Sequence, residues 1–274
     1  MSRDQIHESG EGIQIGSNYR VPALEKGLEL LECLAAQGTP MTQSQLARAL
    51  QRGPSELFRT LMTLERCGYI LRDPVSGAYS LTLRLYELSH THSPFEELVR
   101  AAARPMRELA DEIRESPHLS VIHHGRLLVL AQEESAALVR ISVAVGGAFP
   151  LLHTVSGRLL LAHLELGQAE EILQLVDEYA TWTADQRAEL RERLARIRVQ
   201  RFEYAYGETN YGINDLAVLV GSETSRIKAA LTIPALSQKP ESFVETMLLP
   251  LRRCARAIGR AAGIDVSDRD GESM

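Results

Sequence analysis

The chain has 274 residues, 45% hydrophobic and 24% charged, and 30 Lys+Arg against 36 Asp+Glu give a net charge of -6. That balance excludes gross disorder and a protein that coats nucleic acid over its whole surface. Charge is uneven along the chain: residues 20–82 carry a net +1, whereas residues 1–19 carry -2 and residues 83–274 carry -5.

Residues 1–19, rich in Gly and Ser, predict a flexible arm without the apolar core of a secretory signal. A helix is expected from Pro22 to Ala36, with Leu24, Leu28, Leu31 and Ala35 on its apolar face. Thr42 and Gln45 have the spacing of a capping box that opens a second helix ending near Leu50. After the turn Gln51-Arg52-Gly53, a third helix runs from Pro54 to Cys67, with Gly68 as its stop. Strands at Tyr69–Arg72 and Ala78–Leu81 flank the turn Asp73–Gly77. Three helices followed by a two-stranded wing is a winged helix-turn-helix pattern.

At about 100° per residue, Leu57, Leu61 and Leu64 share one side of the third helix. Ser55, Arg59, Thr63 and Arg66 share the other. Such a division of aliphatic from hydroxyl and guanidinium groups suits a helix lying in the major groove. Thr42 and Ser44 offer hydroxyls or amides to phosphate, and Arg52 and Arg72 are candidate phosphate clamps.

Helices are expected at Leu83–Ser89 and Phe95–Arg114, then strands at Leu119–His123, Arg126–Gln132 and Leu138–Val145. Helices at Thr154–Leu166, Gln168–Tyr179 and Thr183–Val199 follow, the last opened by a second capping box, Thr183 with Gln186. Strands at Ile213–Val220 and Ile227–Pro234 precede a final helix, Glu241–Ala262. The domain plan is an arm (1–19), a DNA-binding domain (20–82), a linker helix (83–94), an effector-binding domain (95–268) and a tail (269–274).

The stretches Ala23–Leu28, Phe58–Glu65, Gly77–Leu81, Val145–Leu151, Ser156-Gly157-Arg158, Gly207-Glu208 and Gly212-Ile213, in that order and spacing, resemble the IclR (isocitrate lyase regulator) family of bacterial transcriptional regulators, from about Tyr19 to Asp265. The resemblance implies an α+β chain, with an N-terminal winged helix-turn-helix that binds double-stranded operator DNA. It implies a GAF-like effector-binding domain with an antiparallel sheet, and assembly as a homodimer or dimer of dimers. It also implies a regulator, more often a repressor, of a catabolic operon. Carried over position by position, the effector site comprises the amides of Val155 and Ser156, the polar Asp215 and Thr232, and the walls Leu138 and Ile141. Two positions that are polar in the family fall here on Ala205 and Pro234, and Asp215 stands where acid-binding members have a small or thiol residue. An ionised Asp215 repels a carboxylate, so the expected effector is a hydroxylated compound, a lactone or an aromatic catabolite. Tyr204, Tyr206 and Tyr211 either stack on such a ring or simply pack.

No metal and no cofactor are expected. His123 and His124 are adjacent on a predicted strand and point to opposite faces, and His153 stands alone. Cys33, Cys67 and Cys254 are too few and scattered for a disulfide framework, and no apolar run is long enough for a membrane span, so the expected compartment is the cytoplasm. No nucleophile-elbow or phosphate-loop motif occurs, and the expectation is a non-enzyme. The alternatives are an enzyme that uses the GAF-like pocket with Glu208, Asp215 and His153, or a winged helix that docks protein.

Overall fold

The structure, a computed structural model, describes residues 21–91, 95–236 and 240–264. The expected arm and tail therefore lie outside the described residues. The chain divides into two compact units, residues 1–93 and 94–274.

In the first unit, α1 (Pro22–Gln37) starts on a proline and stops at Gly38, whose positive φ lets its amide return to the Leu34 carbonyl. Its buried stripe is Gly27, Leu30, Leu31 and Leu34. The expected face is corrected here: Leu24 and Leu28 are exposed, because the third helix packs over Gly27 instead. A short strand β1 (Met41–Thr42) leads into α2 (Gln43–Ala49), where the Thr42–Gln45 capping box forms with both reciprocal bonds. The next helix, α3 (Pro54–Arg66), is tied to α2 by Gln43 Nε2 donating to the Pro54 carbonyl at 2.7 Å.

Strands β2 (Ile70–Arg72) and β3 (Ala78–Leu81) form the wing, in a three-stranded antiparallel sheet of order β1-β3-β2. Asp73 shapes the wing tip by accepting bonds from the Val75 and Ser76 amides. Leu30, Leu46, Leu57, Leu61, Ile70 and Tyr79 are the sealed centre of this unit, each worth about 1.5–3 kcal/mol of burial. A further helix, α4 (Arg84–Thr91), completes the unit.

The second unit opens with α5 (Glu96–Ile113), then β4 (His118–His123), β5 (Arg126–Gln132) and β6 (Ala148–Pro150). Helices α6 (Val155–Ala162), α7 (Leu166–Gln174), α8 (Asp177–Thr181) and α9 (Ala184–Gln200) follow. Strands β7 (Phe202–Tyr206), β8 (Ile213–Val220) and β9 (Ala229–Leu236) and the helix α10 (Pro240–Ala261) close it. The six strands form one antiparallel sheet of order β6-β5-β4-β9-β8-β7. Side-chain alternation divides its faces. Leu119, Val121, Leu216, Val218, Leu231 and Ile233 meet α5 and α10. On the other face, small Ala205, Ala217 and Ala230 let α6 lie close, with Ile197 of α9 against it. An antiparallel sheet with helices on both faces is an α+β architecture.

Two expectations are revised. Leu138–Val145 alternates like a strand, yet forms none. Gly146 and Gly147 exchange backbone bonds with Val129 of β5, while Gln132 Nε2 donates to Ser142 Oγ and Gln132 Oε1 accepts from the Val143 amide, which holds the preceding segment. Conversely, Phe202–Tyr206 is a strand, β7, that the sequence reading left unassigned.

Candidate functional site

On α3, Ser55, Arg59, Thr63 and Arg66 are all exposed, on the side opposite buried Leu57 and Leu61. Thr63 donates its hydroxyl to the Arg59 carbonyl, as Ser and Thr do within helices. Ser44, in the first turn of α2, is exposed. Two other candidates are engaged within the fold. The Thr42 hydroxyl is spent on the α2 cap. Arg52 donates Nε and Nη2 to the Glu29 carboxylate and Nη1 to Glu56, so it pins the turn to α1 instead of standing free as a phosphate clamp. Glu56 also receives Lys26 at 2.7 Å, which turns its charge back toward α1. Arg72 is exposed on the wing, its guanidinium 5.7 Å from the Tyr79 ring centre.

In the second unit, α6 begins at the floor of a cavity of about 190 Å³. The start of α6 is set by Thr154, whose hydroxyl accepts from the Gly157 amide. That third amide is capped. The first two, of Val155 and Ser156, have no intrahelical acceptor and lie at the positive end of the helix. Gly157 is required here because a Cβ on it would lie 2.0 Å from the Leu151 carbonyl oxygen. Ile141, Val155, Ser156, Asp215 and Thr232 line the cavity together. The remaining expected wall, Leu138, is corrected: it is fully exposed and lies outside the lining, its place taken by Leu127 and Phe149.

Polar groups dominate one side. Ser156 Oγ and Thr232 Oγ1 lie 2.8 Å apart and bond to each other. Asp215 is 7% exposed, and burial raises its carboxyl above the ordinary carboxylate range, against a hydrogen bond from Thr209 and the positive charge of Arg158. The sequence reading missed His118, Thr209 and Asn210, which also line the cavity. His118 was within reach of the alternation rule, since it shares a face with Ser120, opposite Leu119 and Val121; the predicted strand began one residue too late. It is 6% exposed, and burial pushes its imidazole down to about 4.

An ion network with a buried centre, Arg158 and Glu203, stands beside the cavity. Arg158 of α6 meets Glu203 of β7 at 3.0 Å and Glu208 at 2.8 Å, and Arg193 of α9 meets the same two carboxylates. The motif residues Arg158 and Glu208 are thus paired with each other. His153 bonds to Glu178 on the surface, and His124 with Gly125 forms the two-residue turn between β4 and β5, both at positive φ. Among the described residues, no group of three or more His, Cys, Asp or Glu is placed to hold a metal. Tyr204 donates to Asn214 Oδ1 and packs toward Phe243, while Tyr206 and Tyr211 are exposed; none of the three lines the cavity. No described helix is long and apolar enough to cross a membrane.

The comparisons with known proteins cover both units. Residues 23–74 match the IclR helix-turn-helix domain, and residues 94–260 match the C-terminal domain of the bacterial transcriptional regulator IclR. The HTH-type transcriptional regulator KdgR of Escherichia coli (strain K12) is 29% identical over 226 residues, 80% of this chain and 85% of that protein. The HTH-type transcriptional regulator XynR of the same organism is 25% identical over 89% of this chain and 98% of its own. Among solved structures, an IclR homolog from Microbacterium hydrocarbonoxydans, complexed with 4-hydroxybenzoate, superposes with a TM-score of 0.73. It is 24% identical over 88% of this chain and 99% of its own. With both family domains matched in order, and an exposed Ser/Arg helix in the first of them, this chain belongs to the IclR family of DNA-binding bacterial transcriptional regulators.

Proposed function

We propose that this regulator is a repressor of a catabolic operon, released from or tightened on its operator by a small hydroxylated or aromatic effector bound at the N-terminus of α6. It works in the cytoplasm as a homodimer or dimer of dimers and catalyses no reaction. The observation that carries this reading is the pairing of two features in one chain. One is a recognition helix with Ser55, Arg59 and Arg66 exposed; the other is a cavity that holds buried polar groups against the free amides of α6.

On DNA, Arg59 and Arg66 pair with guanine or phosphate, Ser55 and Thr63 contact base edges or backbone, and Ser44 and Arg72 position the domain on phosphates. In the cavity, the Val155 and Ser156 amides hold a carboxylate or carbonyl oxygen of the effector. Asp215 and Thr232 take its hydroxyls, and Ile141 packs on its carbon frame. A hydroxylated aromatic acid of the kind held by the Microbacterium homolog is a compound of suitable size: the cavity has the volume of about six waters. At the helix N-terminus, Ser156 bonds to Thr232 and not to a base, so it is not an activated nucleophile.

Fluorescence anisotropy tests the reading, with the full chain titrated onto its own upstream intergenic DNA and onto random duplex of equal length. At about 150 mM salt the upstream DNA is expected to bind at least ~10³-fold tighter. Equal, weak binding to both contradicts an operator there.

A further inference from the structure

The exposed side of α3 is not wholly polar. Phe58 and Met62 are 49% and 45% exposed. Single apolar residues on a surface are ordinary, but these two stand four positions apart and so are neighbours on one helix face. Measured from Leu57, Phe58 falls at about 100° and Met62 at about 140° around the helix. Ser55, Arg66 and Arg59 follow at about 160°, about 180° and about 200°. An apolar strip therefore runs beside the cationic one within a single exposed sector.

The carboxylates of α3 are kept at the edges of that sector, Glu65 at about 80° and Glu56 at about 260°. Glu56 is drawn back toward α1 by Lys26 and also meets Arg52. Between the edges the sector presents two guanidiniums, two hydroxyls and two apolar side chains, all exposed. Such a surface matches a polyanion that carries apolar groups at defined points. The major groove is one, with phosphates along its rims and thymine C5-methyl groups on its floor. Of the four bases, thymine alone puts a methyl there. The amino groups of adenine and cytosine and the two acceptors of guanine would lose water against a phenyl ring or a thioether and gain no partner.

We infer that Phe58 and Met62 select thymine in the operator by packing on its C5-methyl groups, alongside the guanine or phosphate contacts of Arg59 and Arg66. This rests on α3 being the helix that enters the major groove, and it adds the base that the helix prefers. A four-residue rise of ~6 Å against a base step of ~3.4 Å lets the two side chains address different base pairs.

The test uses the full-length chain to enrich duplexes from a random pool. Each thymine of the enriched site is then replaced singly by deoxyuridine, which removes the methyl and nothing else. Anisotropy is expected to show a loss of about fourfold at one or more positions, the worth of one buried methyl group. At those positions Phe58→Ser or Met62→Ser should bind thymine and deoxyuridine duplexes alike. The slope of log affinity against log salt should not change, because a methyl contact releases no counterion. An unchanged melting temperature establishes that each variant is folded.

Indifference of every position to deoxyuridine overturns the inference, as does an enriched site without thymine. A deoxyuridine loss that persists in both variants also overturns it, and assigns the sensitivity to DNA shape or to another residue. Indifference together with a changed oligomeric state in either variant assigns the pair to protein contact. A pool from which nothing is enriched overturns the inference together with α3 as a reader of sequence; enrichment without sensitivity to deoxyuridine overturns the inference alone.

Discussion

Burial pushes the His118 imidazole down from the ordinary histidine range to about 4. A histidine that holds its proton less tightly in the folded chain than in the unfolded one contributes its full stability above pH 6.5 and loses it as pH falls toward 4. The gap is worth up to about 3 kcal/mol. His163, also lowered mainly by burial, adds in the same direction. Asp215, raised by burial, acts in the opposite sense, since the folded chain takes up its proton first. Urea unfolding free energies measured from pH 7 to 4.5 should therefore decline, and His118→Phe should flatten the decline. Identical pH slopes for the variant and the wild type would show that folding leaves the proton affinity of His118 unchanged. Alternation along β4 gives the face on which His118 stands but not the depth of its burial. Its burial depends on the pairing of β4 with β9, which brings Thr232 beside it. Arg52 teaches the same lesson from the other side. In sequence it is one more arginine in a turn, and only the fold brings Glu29, twenty-three positions earlier, within reach.

Helix ends were the most readable elements, because their signals are local. The Thr42–Gln45 and Thr183–Gln186 capping boxes form as their spacing predicts, each satisfying backbone donors within four residues. Strands were less readable, because their partners are remote. The segment Leu138–Val145 has strand-like alternation but loses the edge of β5 to the Gly146–Pro150 stretch. The strand β7 hid behind a charged residue, Glu203, that faces inward and is 3% exposed.

Glu203 is tolerated there because Arg158 and Arg193 meet it, joining α6, β7 and α9 at one point beside the cavity. Removing one partner of a buried pair typically costs ~3–5 kcal/mol, and Glu208 remains to compensate part of that. Glu203→Ala is therefore expected to lower the unfolding free energy by about 3 kcal/mol in chemical denaturation. A loss below ~1 kcal/mol would mean that the network is solvated in solution and does not hold α6 in place.

The molecule consists of two units with separate cores. The family assignment rests on matches in both, at identities in the twenties. At that distance the shared scaffold does not by itself fix the chemistry of the cavity, which is set by the residues that line it. The α6 N-terminus, Asp215 and Thr232 were legible by motif position. Leu138 was not, since its loop takes a course that no local signal sets, and His118 was not, since no motif includes it.

The DNA-reading face can be separated from its supports by one comparison. Anisotropy titrations on the upstream DNA over a salt series, for the wild type, Arg59→Ala and Arg52→Ala, test the central claim most directly. Each phosphate contact contributes about -0.9 to the slope of log affinity against log salt. If α3 reads DNA, Arg59→Ala weakens binding by more than ~1 kcal/mol, and reduces the slope when the lost contact is a phosphate. Arg52→Ala, which loses only bonds to Glu29 and Glu56, should leave the slope unchanged. Unchanged affinity and slope for Arg59→Ala, or a flat salt response of the wild type, would contradict the assignment of α3 as the recognition helix.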